Sequence, residues 1–232
     1  PPPVAVRPLV KNLLSVPDAA PVWTPQAGPQ AAAFDCDADQ IGYGGAAGGG
    51  KSFLALGLAA LKHKRSIIFR RTFPNARGIV EQSRDLFAQN QSHAKDSYNE
   101  SLHIWRLATG AVIEIGALQY ENDKKNHQGQ ARDLHVFDEA TEFTESQVRF
   151  VIGWNRSTDK RVRCQVLLTF NPPMDDGGAW VVRFFAPWLD PDDPDPAESG
   201  EVRFVAMVDG KEQFYRNRED VPLAADDTLR GV

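Results

Sequence analysis

The most informative segment of the sequence is Gly44-Gly45-Ala46-Ala47-Gly48-Gly49-Gly50-Lys51-Ser52. From Gly45 to Ser52 it satisfies G-x-x-x-x-G-K-[ST], the pattern of a loop whose backbone N–H groups curl around phosphate oxygens. Glycine permits this curl because it adopts positive φ angles and has no side chain to keep a ligand away. The pattern predicts that Lys51 reaches the β- and γ-phosphates of a nucleotide and that Ser52 holds Mg²⁺.

The residues on both sides of the loop fit this interpretation. Ile41-Gly42-Tyr43 predicts a short strand before the loop, and Phe53 to His63 predicts a helix after it, with leucines at helical spacing. The positive end of that helix dipole would face the phosphates. The alternative is a flexible glycine loop without a ligand, which the agreement of strand, loop and helix disfavours.

Length, composition and charge narrow the class of protein. The 232 residues, 42% of them hydrophobic, are enough for the core of one large domain. No apolar run is long enough to span a membrane and the N-terminus does not resemble a secretory signal, so we expect a soluble, intracellular protein. Two distant cysteines indicate neither a disulfide framework nor a zinc site. With a net charge of −5, any DNA contact is expected to be local.

Strand and helix patterns alternate after the loop. Ser66 to Arg70 is an apolar run suited to a buried parallel strand, and it ends on the pair Arg70-Arg71. Asn75 is expected to cap a helix with one buried stripe. Between Leu102 and Ile115 the period changes to alternation about a turn, which predicts an inserted β-hairpin. Together these patterns predict an α/β fold whose mainly parallel central sheet is flanked by helices.

The second decisive stretch is Leu134 to Glu139, a mostly apolar strand that ends on two carboxylates, Asp138 and Glu139. Ligands bind at the carboxyl ends of the strands in open parallel sheets. We expect Asp138 to hold Mg²⁺ through its water shell and Glu139 to polarise the attacking water. An Asp-Glu pair that merely caps a helix is the alternative, and the upstream phosphate loop disfavours it.

Two further polar positions are candidates for the same crevice. The stretch Gln165 to Pro173 predicts another buried strand, with Thr169 and Asn171 as its polar end; both are expected near the γ-phosphate. The alternative is that they only cap a strand before a proline turn. In the proline-rich lead-in, the Gln30 amide can donate to and accept from an adenine edge, although a solvated loop glutamine fits equally well.

These motifs, in this order, resemble the ATPase domain of the large terminase subunit of tailed bacteriophages and prophages. The resemblance spans roughly Pro25 to Pro173. It implies a P-loop NTPase fold of the ASCE, RecA-like type that binds ATP and Mg²⁺. The stretches that carry it are Gly28-Pro29-Gln30, Ala38-Asp39-Gln40-Ile41, the loop from Gly44 to Ser52, Phe69-Arg70-Arg71-Thr72, Asp138-Glu139 and Thr169-Phe170-Asn171-Pro172.

Roles follow from the resemblance position by position. It implies that Lys51 and Ser52 are the Walker A pair, that Asp138-Glu139 is the Walker B pair, and that Thr169 to Asn171 couple to the γ-phosphate. Gln30 corresponds to the glutamine on the adenine side. The implied nucleotide-binding residues are Gly45, Ala46, Ala47, Gly48, Gly49, Gly50, Lys51, Ser52 and Gln30, and the implied metal ligands are Ser52 and Asp138.

The implied function is an ATP-driven motor in the host cytoplasm. Such a motor assembles as a homo-oligomeric ring on the portal protein, works with the small terminase subunit, needs no membrane, and pumps double-stranded DNA into an empty capsid. Two alternative functions remain open beside the packaging motor. One is another P-loop DNA-dependent ATPase, such as a helicase-like translocase, and the other is an ATP-binding assembly scaffold with little activity alone.

One departure from the family concerns its arginine. Many terminases carry an arginine inside the Walker A loop, where this chain has Ala46-Ala47. The charge that stabilises the transition state must then come from Arg70 or Arg71 in the same subunit, or from Arg132 or Arg156 of a ring neighbour. Such an arginine is worth a factor of ~10³ or more in rate.

We divide the chain into three parts from these patterns. Residues 1–33 are expected to form an N-terminal arm, and 34–186 the P-loop ATPase core. Residues 187–232 are expected to contain an acidic proline-rich loop, one last strand near Val202 to Met207, and a linker toward a C-terminal nuclease domain that this sequence lacks. Thr144 to Gln147 matches a capping box and predicts a helix within the core.

Overall fold

The computed structural model describes residues 23–46, 48–88, 97–173 and 176–222, together with the backbone of residues 228–229. Most of the predicted N-terminal arm and Ala47, one of the expected phosphate-binding residues, lie outside the described residues. Within the described part of the chain, no helix is both long and apolar enough to cross a bilayer.

Helices and strands alternate along most of this part of the chain. The helices are α1 (Pro29–Asp35), α2 (Lys51–Leu61), α3 (Phe73–Ala88), α4 (Glu145–Ile152), α5 (Trp180–Phe184) and α6 (Ala186–Leu189). The strands are β1 (Gln40–Gly44), β2 (Arg65–Arg70), β3 (Ser97–Asn99), β4 (Ile104–Arg106), β5 (Val112–Ala117), β6 (Leu134–Phe137), β7 (Gln165–Phe170), β8 (Phe204–Val208), β9 (Lys211–Tyr215) and β10 (Thr228–Leu229).

Seven strands form one central sheet in the order β1-β7-β6-β2-β5-β4-β3. The first five are mutually parallel, and β4 and β3 continue the sheet in antiparallel fashion. The strand β7 therefore lies between β1, which leads into the glycine-rich loop, and β6, which leads into the acidic pair. A mainly parallel central sheet flanked by helices confirms the predicted fold class.

Apolar side chains alternate between the two faces of the sheet and bury both of them. On β2, Ile68 packs with the cluster beneath α2 and α3, whereas Ile67 and Phe69 pack with the opposite cluster beneath α4 and α5. Successive residues of a strand point to opposite faces, so a continuous apolar run can satisfy two helix layers. The loop and the acidic pair consequently start from strands fixed on both sides.

The predicted inserted hairpin is confirmed, and it is part of the central sheet. Its strands β4 and β5 pair in antiparallel fashion, and β5 also pairs in parallel with β2, so the hairpin widens the central sheet. The last predicted strand appears as β8, which forms a small second sheet with β9 and β10.

Two local predictions need correction. α1 forms inside the lead-in that was expected to be irregular, and the predicted boundary between residues 33 and 34 falls within it.

Asn75 is not a helix cap, because α3 begins at Phe73 and the Thr72 hydroxyl accepts a hydrogen bond from the Asn75 N–H at 3.3 Å. Pro74 is compatible with that earlier start, since the first helical turn needs no N–H donor. The capping box of α4 at Thr144 is confirmed.

Candidate nucleotide site

The glycine-rich loop joins β1 to α2 at the carboxyl edge of the sheet, as predicted. Gly45, Gly48 and Gly50 have φ angles of 142°, 85° and 69°, a region that disfavours side chains. The Gly45 N–H donates to the Phe170 carbonyl at 3.2 Å, which ties the start of the loop to the end of β7. The loop is therefore held at one end by the sheet and at the other by the first turn of α2.

Gln30 lies beneath the loop, where α1 places it. It is 3% exposed, its Nε2 donates to the Gly50 carbonyl at 2.9 Å, and its Oε1 accepts from the Gln26 N–H at 2.6 Å. A Cβ at Gly50 would come within 2.4 Å of this Nε2. The amide therefore fixes the loop, and the expected contact with an adenine base stays a prediction.

The Lys51 ammonium connects the loop to β7. It donates to the carbonyls of Gly45 and Ala46 at 2.8 and 2.7 Å and to Asn171 Oδ1 at 3.0 Å. Asn171 follows β7 directly, so the predicted meeting of the loop lysine and the strand-end asparagine at one crevice is observed.

Asp138 is the centre of the polar network at this edge. It is 2% exposed, its Oδ2 accepts from the Ser52 hydroxyl at 3.2 Å, and its Oδ1 accepts from the Thr169 hydroxyl at 2.6 Å. Thr169 Oγ1 in turn accepts from the Glu139 N–H at 3.1 Å. A hydroxyl and a carboxylate are the oxygen ligands that Mg²⁺ prefers, so Ser52 and Asp138 fit the predicted metal site.

Arg70 reaches both carboxylates from the end of β2. Its Nη1 lies 3.3 Å from Asp138 Oδ2 and 3.1 Å from Glu139 Oε2, and its Nε donates to the Asn75 carbonyl at 3.3 Å. The Arg70 side chain is 17% exposed and that of Glu139 35% exposed. A cation between these carboxylates offsets their repulsion and leaves the Glu139 carboxylate accessible from solvent.

The structure does not bring the other arginine candidates to the carboxylates of Asp138 and Glu139. Arg71 Nη1 donates to the Leu118 carbonyl and to Gln147 Oε1, both at 2.8 Å. Arg132 lies at the amino end of β6, is 6% exposed, and donates to Glu114 Oε2 at 2.5 Å. Arg156 lies at that same end, and its backbone N–H donates a hydrogen bond to the Arg132 carbonyl. Arg70 is thus the candidate that meets the acidic pair within one subunit.

Glu139 has a backbone conformation that is rare for a residue with a side chain. Its φ and ψ are 62° and 60°, a left-handed geometry that costs of order 1 kcal/mol or more. A single 3₁₀ turn, Ala140–Glu142, follows and brings residues three apart together. Strain of this kind is concentrated at functional sites, where surrounding contacts hold it in place.

Glu142 is a member of the cluster that the sequence analysis missed. Burial first, and then the charge of Glu139 and a side-chain hydrogen bond with it, raise the pKa of Glu142, while Arg70 and Asn75 act in the opposite direction. The available signal was the spacing Asp138-Glu139-x-x-Glu142 directly after a strand, because a tight turn there overlays the two glutamates.

The carboxyl edge therefore gathers the described part of the loop, Lys51, Ser52, the acidic pair, Thr169 and Asn171. A glycine-rich loop after β1, an acidic pair after β6 and an intervening strand are arranged as expected for the P-loop NTPase fold. The fold class is therefore the predicted one.

Solved structures with similarity to this chain include ATPase domains of large terminases. That of Thermus phage P74-26 matches with a TM-score of 0.49 and 16% sequence identity, over 74% of each chain. The large terminase of a thermophilic bacteriophage matches with a TM-score of 0.46 and 14% identity, over 63% of this chain and 36% of that longer one. Its complex with ADP matches at 0.42 and 14%, over 63% and 35%. No protein-family model and no curated protein sequence matches the chain.

Proposed function

We propose that this chain hydrolyses ATP as the motor domain of a viral large terminase that moves double-stranded DNA into a capsid. The observation that carries the hydrolysis is the connected network Ser52–Asp138–Thr169, which continues to the backbone of Glu139. The terminase assignment is supported by the order of the motifs along the sequence. Under this proposal the chain works in the host cytoplasm, in a homo-oligomeric ring with the portal protein and the small terminase subunit.

ATP binding would use the loop and the first turn of α2. The loop N–H groups and the Lys51 ammonium would bind the β- and γ-phosphates, with the lysine exchanging its carbonyl partners for phosphate oxygens. Ser52 and Asp138 would hold Mg²⁺, which supplies positive charge to the phosphate oxygens when bound. Gln30 would keep Gly50 in the left-handed geometry from which this turn starts.

Glu139 would orient and polarise the water that attacks the γ-phosphate. Its carboxylate is the more exposed one of the acidic pair, and its backbone N–H is held by Thr169. Asn171 contacts the loop lysine and follows the strand that carries Thr169, so β7 is connected to both the phosphate loop and the catalytic carboxylate. Loss of the γ-phosphate would therefore change contacts at the end of β7.

Arg70 would supply the positive charge that the loop alanines do not. It lies within 3.3 Å of both members of the acidic pair. Guanidinium groups stabilise the charge that develops on a transferred phosphoryl group, with an effect of ~10³ or more in rate. In this proposal Arg70 acts within its own subunit.

The test is ATP turnover measured against protein concentration, with and without duplex DNA. Glu139→Gln should lower turnover by ~10²-fold or more and Arg70→Ala by ~10³-fold or more, since each removes a group at the reacting phosphate. Glu145→Gln is the matched control, because Glu145 is a glutamate on α4 that pairs with Arg149 instead. DNA-stimulated turnover that rises with concentration supports the ring motor.

Three other outcomes would contradict parts of the proposal. Turnover that is DNA-independent and unchanged in Glu139→Gln would reject hydrolysis at this site. Nucleotide binding without turnover, even with DNA and at high protein concentration, would favour the assembly scaffold. Turnover coupled to strand separation would favour a helicase-like translocase.

A further inference from the structure

A second polar site lies at the amino edge of the sheet, opposite the nucleotide site. A cleft of about 390 Å³ opens there where β2, β5 and β6 begin and β4 ends. We call it the amino-edge cleft, and its polar lining is Arg65, Ser66, Arg106, Glu114, Gln130 and Arg132. None of these residues contributes to the proposed hydrolysis.

Two buried donors in this cleft have no hydrogen-bond partner among the described residues. Arg132 is 6% exposed and uses Nη2 on Glu114 and Gln130, but its Nη1 has no partner. Ser66 is 2% exposed and its Oγ also has none. A buried polar group left unsatisfied costs about 1–3 kcal/mol, so both groups are suited to an acceptor that enters the cleft.

Exposed positive charge flanks these buried donors. Arg65 and Arg106 are exposed at the cleft, and neither forms an ion pair with another described residue. A second cleft of about 290 Å³ adjoins the first, shares Arg65 with it, and adds Lys64 and Arg156. Four arginines therefore follow one another along the two clefts, in a protein whose net charge is −5.

The acidic side chains nearby do not neutralise this row. Asp133 is 2% exposed and turned inward, where it accepts hydrogen bonds from the backbone N–H groups of Lys64 and Arg65. Asp159 pairs with Lys64, and Glu114 pairs with one nitrogen of Arg132. The exposed guanidinium groups of Arg65 and Arg106 are left available.

We propose that the amino-edge cleft and its neighbour bind successive phosphates of a nucleic-acid backbone. Arginine binds phosphate with two parallel N–H donors, and buried neutral and charged donors together suit an oxyanion. An open row of several cations fits a chain of phosphates better than one small anion. The inference rests on the proposed function for the identity of the ligand, duplex DNA, and it locates where the chain would contact that DNA.

The test is the binding of a labelled duplex oligonucleotide to the full chain, followed by fluorescence anisotropy over a range of salt concentrations. The double variant Arg65→Ala/Arg106→Ala should weaken binding and reduce the slope of log K against log salt by about 2, because each phosphate contact contributes about 0.9. Lys211→Ala/Arg218→Ala is the matched control; it removes two exposed cations from the β9 region and should leave the slope unchanged.

Two further measurements keep this inference separate from the proposed function. DNA-independent ATP turnover should stay at the wild-type level in the double variant, which also shows that it folds. If both double variants bind the duplex with the affinity and the salt slope of the wild type, the cleft is not the DNA-binding site. That result would leave the motor proposal standing. Binding of inorganic phosphate by the wild type, without any binding of the duplex, would overturn the inference in favour of a free anion.

Discussion

Gln30 acts on the glycine-rich loop through the backbone of another residue, Gly50. Its amide bonds to the carbonyl of Gly50, which begins α2 in a left-handed conformation, and α1 keeps it away from solvent. The side chain is a donor to the loop and an acceptor from Gln26, so its hydrogen bonds are directed at protein groups. Its effect on nucleotide binding would therefore be the same for any base.

Gln30→Ala should weaken ATP and GTP binding by the same factor, about 5–30-fold. The loss of one buried hydrogen bond to the loop corresponds to ~1–2 kcal/mol. Titration of fluorescent analogues of both nucleotides measures this. Gln26→Ala is the control, since it keeps the backbone N–H to which Gln30 bonds. A loss confined to ATP would restore the adenine contact that the sequence suggested.

The site residues that the sequence identified are those fixed by short-range patterns. The loop, the acidic pair and the Thr169-x-Asn171 strand end each occupy consecutive positions at strand ends, and parallel pairing brings such ends together. The role of Arg71 was not predictable, because its partners Leu118 and Gln147 are 47 and 76 positions away. Pairings over such separations depend on the completed fold.

At the scale of elements, α2 is the helix through which the loop meets the core. Its buried face includes Gly57, and a Cβ there would lie 2.2 Å from the ring of Trp23. Trp23 also packs edge-on against Phe34 of α1, with ring centroids 5.5 Å apart. The close approach at Gly57 thus fixes the segment that leads into α1 and Gln30.

Gly57→Ala should destabilise the protein by about 1–3 kcal/mol, because the added methyl group displaces a packed tryptophan ring. Urea denaturation measures the free energy of unfolding. Gly78→Ala on α3 is the control: its Cβ would meet nothing within 4 Å, so it should stabilise by up to ~1 kcal/mol. Equal effects of the two substitutions would reject this account of α2.

The hydrophobic pattern of the sequence predicted some strands and helices and missed others. Strands β2, β6 and β7 were predicted from apolar runs, since a strand buried on both faces needs them. The helix α1 was not, because its seven residues carry no apolar period and its partners, α2 and the loop, are distant in sequence. The late start predicted for α3 followed from reading Asn75 as a cap when Thr72 was also available.

At the scale of the whole molecule, stability should depend on pH through a histidine inside the sheet. His135 on β6 is 1% exposed, and neither ring nitrogen has a hydrogen-bond partner among the described residues. Burial first, and then the nearby charges of Arg132 and His127, lower the pKa of His135 to about 3. The unfolded chain therefore binds a proton near pH 6.5 that the folded chain excludes.

The free energy of unfolding should fall as pH decreases below about 6.5 and stay constant above it, as far as His135 is concerned. Between pH 7 and pH 5 this histidine alone accounts for a loss of about 2 kcal/mol. His135→Leu should remove that part of the difference in urea denaturation at the two pH values. His103→Asn, at a partly buried histidine outside the sheet, is the control. An unchanged pH dependence in His135→Leu would contradict the prediction.

The strand β2 begins with Arg65 at one edge of the sheet and ends with Arg70 at the other. Its six residues span about 20 Å and are hydrogen bonded to β5 on one side and β6 on the other. Such a strand neither shortens nor bends easily, so it behaves as a stiff rod. If ATP hydrolysis displaces the Arg70 end of β2, we expect the Arg65 end to move in the same direction. The strand would then transmit the displacement through the sheet from one edge to the other.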